Sequence, residues 1–86
     1  MQNDFNKING SLLKEARKKQ NLTLTEVAKK CGKSVGWLGD IESGRNRIYF
    51  DDMKILCSLY NITLDEISLK IDELQEIVDD LKDQEK

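Results

Sequence analysis

Few residues in this 86-residue chain can do covalent or metal chemistry: it has no histidine, and its two cysteines, Cys31 and Cys57, stand 26 positions apart. Without histidine neither a Ser-His-Asp nor a Cys-His arrangement can be assembled, and two isolated thiols do not make a zinc site. The carboxylates gather on an amphipathic C-terminal stretch and the glycines form no phosphate loop. An enzyme is therefore disfavoured, and no cofactor and no metal are expected. What remains is cation chemistry. Arg45, Asn46 and Arg47 follow Gly44 directly, and a loop carrying two guanidinium groups is suited to holding phosphate oxygens. That cluster is the best phosphate candidate in the chain, against the plainer alternative of a solvated loop.

The elements that must position it can be read from caps and periodicity. Thr23 precedes an apolar run and Glu26 follows three residues later, the spacing at which side chain and backbone cap each other at a helix start. Leu24, Val27, Ala28 and Cys31 then recur at three and four, and Gly32 ends the helix after about two turns. Ser34 caps the next helix, Leu38 and Ile41 form its inward stripe, and Gly44 closes it. Two short helices joined by so tight a turn fit the helix-turn-helix pattern, and the small side chain of Ala28 lets them cross closely. Trp37 falls in the first turn of the second helix. Its ring can stack along a sugar-phosphate chain, or it can cover the helix packing.

Around that pair, MQNDFNKI reads as a polar leader. Leu12, Leu13 and Ala16 give a first helix from about Ile8 to near Gln20, with Asn21 as its left-handed end. A fourth helix is expected from Asp51 to Tyr60, with Phe50, Met53, Leu56, Cys57 and Tyr60 inward and Asn61 as its stop. Thr63 and Glu66 repeat the capping-box spacing, so a fifth helix starts near Leu64 and runs almost to the C-terminus. No strand signal, repeat or flexible linker is evident. The expected fold class is all-α, a single small domain.

Charge divides the chain. Residues 1–64 hold 11 Lys and Arg against 7 Asp and Glu, a net of +4, whereas 65–86 hold 3 against 9, a net of −6; together they give the formal −2. A basic front half suits a phosphate-binding domain, although ordinary surface solvation would account for +4 equally well. With 38% hydrophobic residues, no apolar run long enough for a membrane and no signal sequence at the start, the expectation is a cytoplasmic protein away from membranes. Both cysteines read as small buried hydrophobes in a reducing compartment.

The ladder Leu13, Arg17, Leu22, Thr23, Val27, Ala28, Gly32, Leu38, Ile41, Glu42 and Gly44, followed by FDDMKILCSLYNITLDEI, resembles the lambda-repressor-like helix-turn-helix family, the Cro, phage repressor and Xre-type regulators. It covers roughly residues 8–67. The resemblance implies a compact five-helix lambda-repressor-like domain whose helices 2 and 3 form the motif, and double-stranded DNA as partner. It sets the start of helix 3 in the major groove, which points to Ser34, Val35, Gly36 and Asp40 for base edges. Lys33, Trp37, Arg45, Asn46 and Arg47 would hold phosphates. Arg17 and Glu42 are implied to be a structural ion pair. The chain departs from the family where Val35, Gly36 and Asp40 stand in place of Gln, Asn, Arg or Lys, and where Leu24 replaces the usual Gln. Val35 can meet a thymine methyl and Asp40 can accept from a cytosine amino group, or both are surface residues.

In the fifth helix Leu64, Ile67, Ile71, Leu74, Val78 and Leu81 are spaced three, four, three, four, three, a heptad seam. Leu64 and Ile67 fit the globular core, leaving Ile71, Leu74, Val78 and Leu81 for dimerisation, since a short isolated helix is marginal in water. A helix folded back on its own domain is the alternative. The reading divides the chain into a DNA-binding domain at 1–66 and an acidic C-terminal helix at 67–86. It makes the chain a homodimeric transcriptional repressor, or else an interaction module that keeps the fold and modulates a related regulator or antirepressor protein through its last helix.

Overall fold

The computed structural model describes residues 4–70 and 72–73. Four helices, α1 (Asp4–Lys19), α2 (Leu24–Cys31), α3 (Val35–Ser43) and α4 (Phe50–Leu59), precede α5, which covers 64–70 and is helical again at 72–73. No strand occurs among the described residues, and the architecture is the all-α five-helix domain expected. Ile71, Leu74, Val78 and Leu81 lie outside the described residues, as does the rest of the expected seam beyond Ile67.

One device ends each of the first four helices. Asn21, Gly32, Gly44 and Asn61 hold positive φ angles of 57°, 68°, 83° and 57°. At each, the left-handed residue donates its N–H three residues back and the next residue donates five back. Asn21 and Leu22 reach Lys18 and Arg17 (3.0 and 3.3 Å), Gly32 and Lys33 reach Lys29 and Ala28 (3.2 and 2.9 Å), Gly44 and Arg45 reach Ile41 and Asp40 (3.1 and 2.9 Å), and Asn61 and Ile62 reach Ser58 and Cys57 (3.4 and 3.0 Å). The last carbonyls of each helix are thereby satisfied within the corner itself.

Three of these corners supply a hydroxyl cap for the next helix two residues on. Glu26 N–H donates to Thr23 Oγ1 at 3.1 Å while Thr23 N–H donates to Glu26 Oε1 at 3.3 Å, and Thr63 and Glu66 repeat the exchange at 3.1 and 3.2 Å. Trp37 N–H donates to Ser34 Oγ at 3.1 Å. NLTLTEV at 21–27 and NITLDEI at 61–67 thus build the same corner twice. Only Asn, Thr, Leu and Glu coincide between the two segments, and Asn, Thr and Glu are the residues whose hydrogen bonds make the corner.

Leu13, Val27, Leu38 and Leu56 are wholly buried, with Ala28, Ile41, Cys57 and Ile67 close behind. Each large aliphatic side chain removed from water contributes about 1.5–3 kcal/mol. Leu64 packs against this core and Ile67 belongs to it, as their place in the seam implied. Cys57 is buried and Cys31 half-buried, both free. Burial pushes both thiols up in pKa, helped by Glu66 at Cys57 and Asp52 at Cys31, which keeps them protonated and unreactive.

Two expected boundaries move. α1 begins at Asp4 rather than Ile8, so the polar leader is partly helix. The reason is contact: a Cβ at Gly44 would lie 2.8 Å from Lys7 Cα, and one at Gly10 would collide with the carbonyl oxygens of Ile41 and Glu42. The first turns of α1 therefore rest on the end of α3 and gain a partner that their polar composition did not advertise. At α4, Tyr49 is the N-cap and Phe50 the first helical residue. Phe50 is 65% exposed instead of inward, and Ile48, buried in the preceding loop, joins the core instead.

Arg17 ties three parts together. Its Nε and Nη2 donate to Glu42 Oε2 and Oε1 at 2.7 and 3.1 Å, and its Nη1 donates to the Leu22 carbonyl at 2.8 Å. The hydrogen bonds to Glu42 raise the Arg17 pKa further above its ordinary value, against the opposing effect of burial. The ion pair implied by the family resemblance is thus formed, and the same guanidinium also closes the α1–α2 corner. Lysine, whose three donors sit on one nitrogen, lacks the spread fork needed to do both.

Four variants test these contacts. Gly10→Ala should cost about 3 kcal/mol or more, since backbone rather than a flexible side chain blocks the methyl. Gly39→Ala, with nothing within 4 Å of the new carbon, should gain roughly 0.5–1 kcal/mol. Arg17→Met should lose about 3–5 kcal/mol by stranding Glu42, and the double variant with Glu42→Leu should recover most of it. Urea unfolding of the variants measures all of these.

Candidate nucleic-acid interface

The α2–α3 turn consists of Gly32, Lys33 and Ser34, and α3 packs on both α1 and α2. Leu38 and Ile41 are held in the core, so the N-terminal end of α3 is left facing out. Lys33, Ser34, Val35 and Gly36 are exposed and Trp37 and Asp40 half-buried. A first helical turn also directs unpaired N–H groups outward, where they suit anionic oxygen. The expected base-contact residues Ser34, Val35 and Gly36 thus share the N-terminal end of α3, while Asp40 lies further along the helix, towards its C-terminal corner.

Trp37 packs against the core cluster, and Lys33 Nζ lies 5.5 Å from its ring centroid. The indole serves helix packing and at the same time steadies a cation at the head of α3. Ser34 accepts the Trp37 N–H, which leaves its hydroxyl proton free to donate elsewhere.

The corner at Gly44 has no hydroxyl cap two residues on. After Gly44 the chain runs through Arg45, Asn46 and Arg47 to Tyr49, whose side chain makes no capping bond to α4. The start of this loop is pinned, because the Asp40 carbonyl accepts from the N–H groups of Arg45 and Asn46 at 2.9 and 3.2 Å and from Ser43 Oγ at 3.1 Å. Ile48 pins its other end by burial. Between these anchors Arg45, Asn46 and Arg47 are all exposed, so a loop held at both ends presents two guanidinium groups to solvent.

Asp40 also bears on the cations directly. Its Oδ1 lies 3.8 Å from Arg45 Nη1, an exposed pair whose contribution to stability is small. The expected base reader and the expected phosphate anchor are therefore neighbours, a relation that their separation of five residues concealed.

The sequence reading missed Tyr49 and Lys54 and misplaced Phe50. Tyr49 and Phe50 are 66% and 65% exposed, with Arg47 5.4 Å from the first ring and Lys54 5.7 Å from the second. Two adjacent aromatics immediately beyond a basic loop were the available signal. The candidate site is a surface and not a cavity: Lys33, Ser34, Val35, Gly36, Arg45, Asn46 and Arg47 are all exposed, and none of them lines the groove bordered by Leu12, Ala16, Tyr60 and Ile67. Among the described residues no helix is long and apolar enough to cross a membrane.

A short helix packed on its predecessor after a left-handed turn, with its N-terminal end exposed and a cationic loop following its C-terminal end, defines a helix-turn-helix domain. Comparison with known proteins agrees: residues 13–67 match the helix-turn-helix family, and the chain belongs to that family of DNA-binding transcriptional regulators, of the lambda-repressor-like, Xre type, which are not enzymes. It is similar to the ImmF control region 10 kDa protein of Bacillus phage phi105, at 42% identity over 67 residues, covering 77% of this chain and 71% of the phage protein. Two crystal structures of the clp gene regulator ClgR from Corynebacterium glutamicum share the fold. One gives a TM-score of 0.78 at 22% identity, covering 91% of this chain and 86% of that one. The other gives 0.73 at 20%, covering 80% and 90%.

Proposed function

We propose that the chain is a cytoplasmic, homodimeric transcriptional repressor that binds a two-fold symmetric DNA operator. The observation that carries this reading is α3 itself, whose N-terminal end is exposed and whose C-terminal end leads straight into the pinned, exposed loop of Arg45, Asn46 and Arg47. Ser34, Val35, Gly36 and Asp40 would face base edges, Val35 towards a thymine methyl and Asp40 towards a cytosine amino group. Lys33, Trp37, Arg45, Asn46 and Arg47 would engage the backbone and set the register. The phage relative is named for a control region, which suits a regulator of this size.

Dimerisation follows from the seam Ile71, Leu74, Val78 and Leu81, in a segment 67–86 assigned to self-association. One recognition helix reads only a few base pairs. A two-fold pair reads two half-sites about 34 Å apart, and the acidic segment would point away from the phosphates, where its carboxylates do not oppose binding.

The deciding experiment is selection of bound fragments from a random duplex pool by the purified protein at physiological salt. Enrichment of an inverted repeat with half-sites one turn apart is expected. No enrichment, together with a soluble complex with a related regulator, would replace the reading with that of an interaction module.

Two variants address the parts. Arg45→Ala with Arg47→Ala should weaken binding nearly uniformly across sequences and flatten its salt dependence by about two phosphates' worth of slope; an unchanged slope removes the loop from the interface. Leu74→Glu with Val78→Glu should give a monomer by analytical ultracentrifugation with the helical core intact. A variant that remains dimeric disproves the seam.

A further inference from the structure

We infer that Lys7, on α1, is a further phosphate-binding residue that extends the cationic loop onto a second element. This rests on the DNA-binding reading above. The placement is close: a Cβ at Gly44 would lie 2.7, 2.8 and 3.0 Å from Lys7 Cγ, Cα and N. The backbone of Lys7 thus rests on the residue immediately before Arg45, and its four-carbon stem reaches outward from there. Gly10 pressed on the Ile41 and Glu42 carbonyls fixes α1 in that position one turn further on.

The surroundings favour an external anion. Lys7 is exposed, and among the described residues it makes none of the ion pairs, which join Arg17 to Glu42, Lys19 to Glu15 and Arg45 to Asp40. Lys7, Ser11, Lys14 and Lys18 recur at four, three and four along α1 and are all exposed, so three cations share one stripe of a helix that begins one turn before Lys7, at Asp4. Glu15, the carboxylate beside that stripe, is engaged by Lys19 at 3.4 Å. The positive surface that begins at Arg47 and Arg45 therefore continues across Gly44 to Lys7, and a polyanion whose charges repeat along its length is the ligand that matches it. A phosphate contact at Lys7 orients the domain from a second direction and carries no base information.

A structural alternative exists, because α3 has no basic residue in its last turn and Lys7 can complement the negative end of that helix. The two roles differ in what they move. Fluorescence anisotropy of full-length protein on mixed-sequence duplex DNA, measured across a salt series, should give Lys7→Gln a log–log salt slope shallower than wild type by roughly 0.9, the release of one phosphate's counterion. Lys7→Arg should retain the wild-type slope, and Lys70→Gln, on α5, should match it too. A wild-type slope for Lys7→Gln beside a flattened slope for the Arg45 and Arg47 double variant overturns the inference alone. A lower melting temperature for Lys7→Gln with an unchanged slope assigns Lys7 to the α3 terminus and overturns it as well. No salt-dependent binding by wild-type protein overturns both this inference and the DNA-binding reading.

Discussion

The passage of α1 over the C-terminal end of α3 is the constraint on which the rest of the domain depends. At Gly10 the two backbones meet so closely that no side chain fits between them, and one turn earlier Lys7 rests on Gly44. Seven residues after Gly10, Arg17 reaches Glu42 with two hydrogen bonds and the Leu22 carbonyl with a third. The short helix α3 is held along its length by these contacts and by Leu38 and Ile41 in the core. That is what permits Gly36 and Gly39, poor helix formers, to sit in the helix that presents the candidate reading face: α3 needs little intrinsic helicity because its neighbours hold its shape.

Charge is arranged to suit this frame. Among the described residues the buried ion pair is Arg17 with Glu42, joined by two hydrogen bonds with a third to the Leu22 carbonyl, which offsets the desolvation that isolated buried charges suffer. Tyr60, wholly buried nearby, has its phenol pushed up by burial and by Glu42, so no second buried negative charge forms. The cations on the candidate interface are left exposed, where their long-range field acts on a polyanion without weakening the core.

Much of this was legible in the residues, and the parts that were not share a physical cause. Thr23, Ser34 and Thr63 announced their helices because cap chemistry is local, and Gly32, Gly44, Asn21 and Asn61 announced the ends for the same reason. Leu13, Val27, Leu38 and Leu56 followed from periodicity. The start of α1 did not, because its polar first turns are helical through contact with a segment more than 30 residues away, and the exposure of Phe50 did not, because Ile48 in an irregular loop filled the core instead. In the interface, the cluster at Arg45, Asn46 and Arg47 was readable from composition and place. Its pairing with Asp40 and the aromatic rings under Arg47 and Lys54 needed three dimensions.

The twice-used corner bears on how the chain reaches this fold. In each copy the left-handed Asn, the hydroxyl cap and the reciprocal Glu bond are satisfied within ten residues, 17–26 and 57–66, so each corner can form and re-form on the timescale of local helix and loop motions, about a microsecond or less. The contact between Gly10 and the Ile41 and Glu42 carbonyls joins residues far apart in sequence and cannot form until that chain is closed. Folding of the domain is then a search by prefabricated bends for a single long-range docking step. Amide exchange would report the same hierarchy, with the α1–α3 contact opening as a unit while the corners persist in the chain it releases.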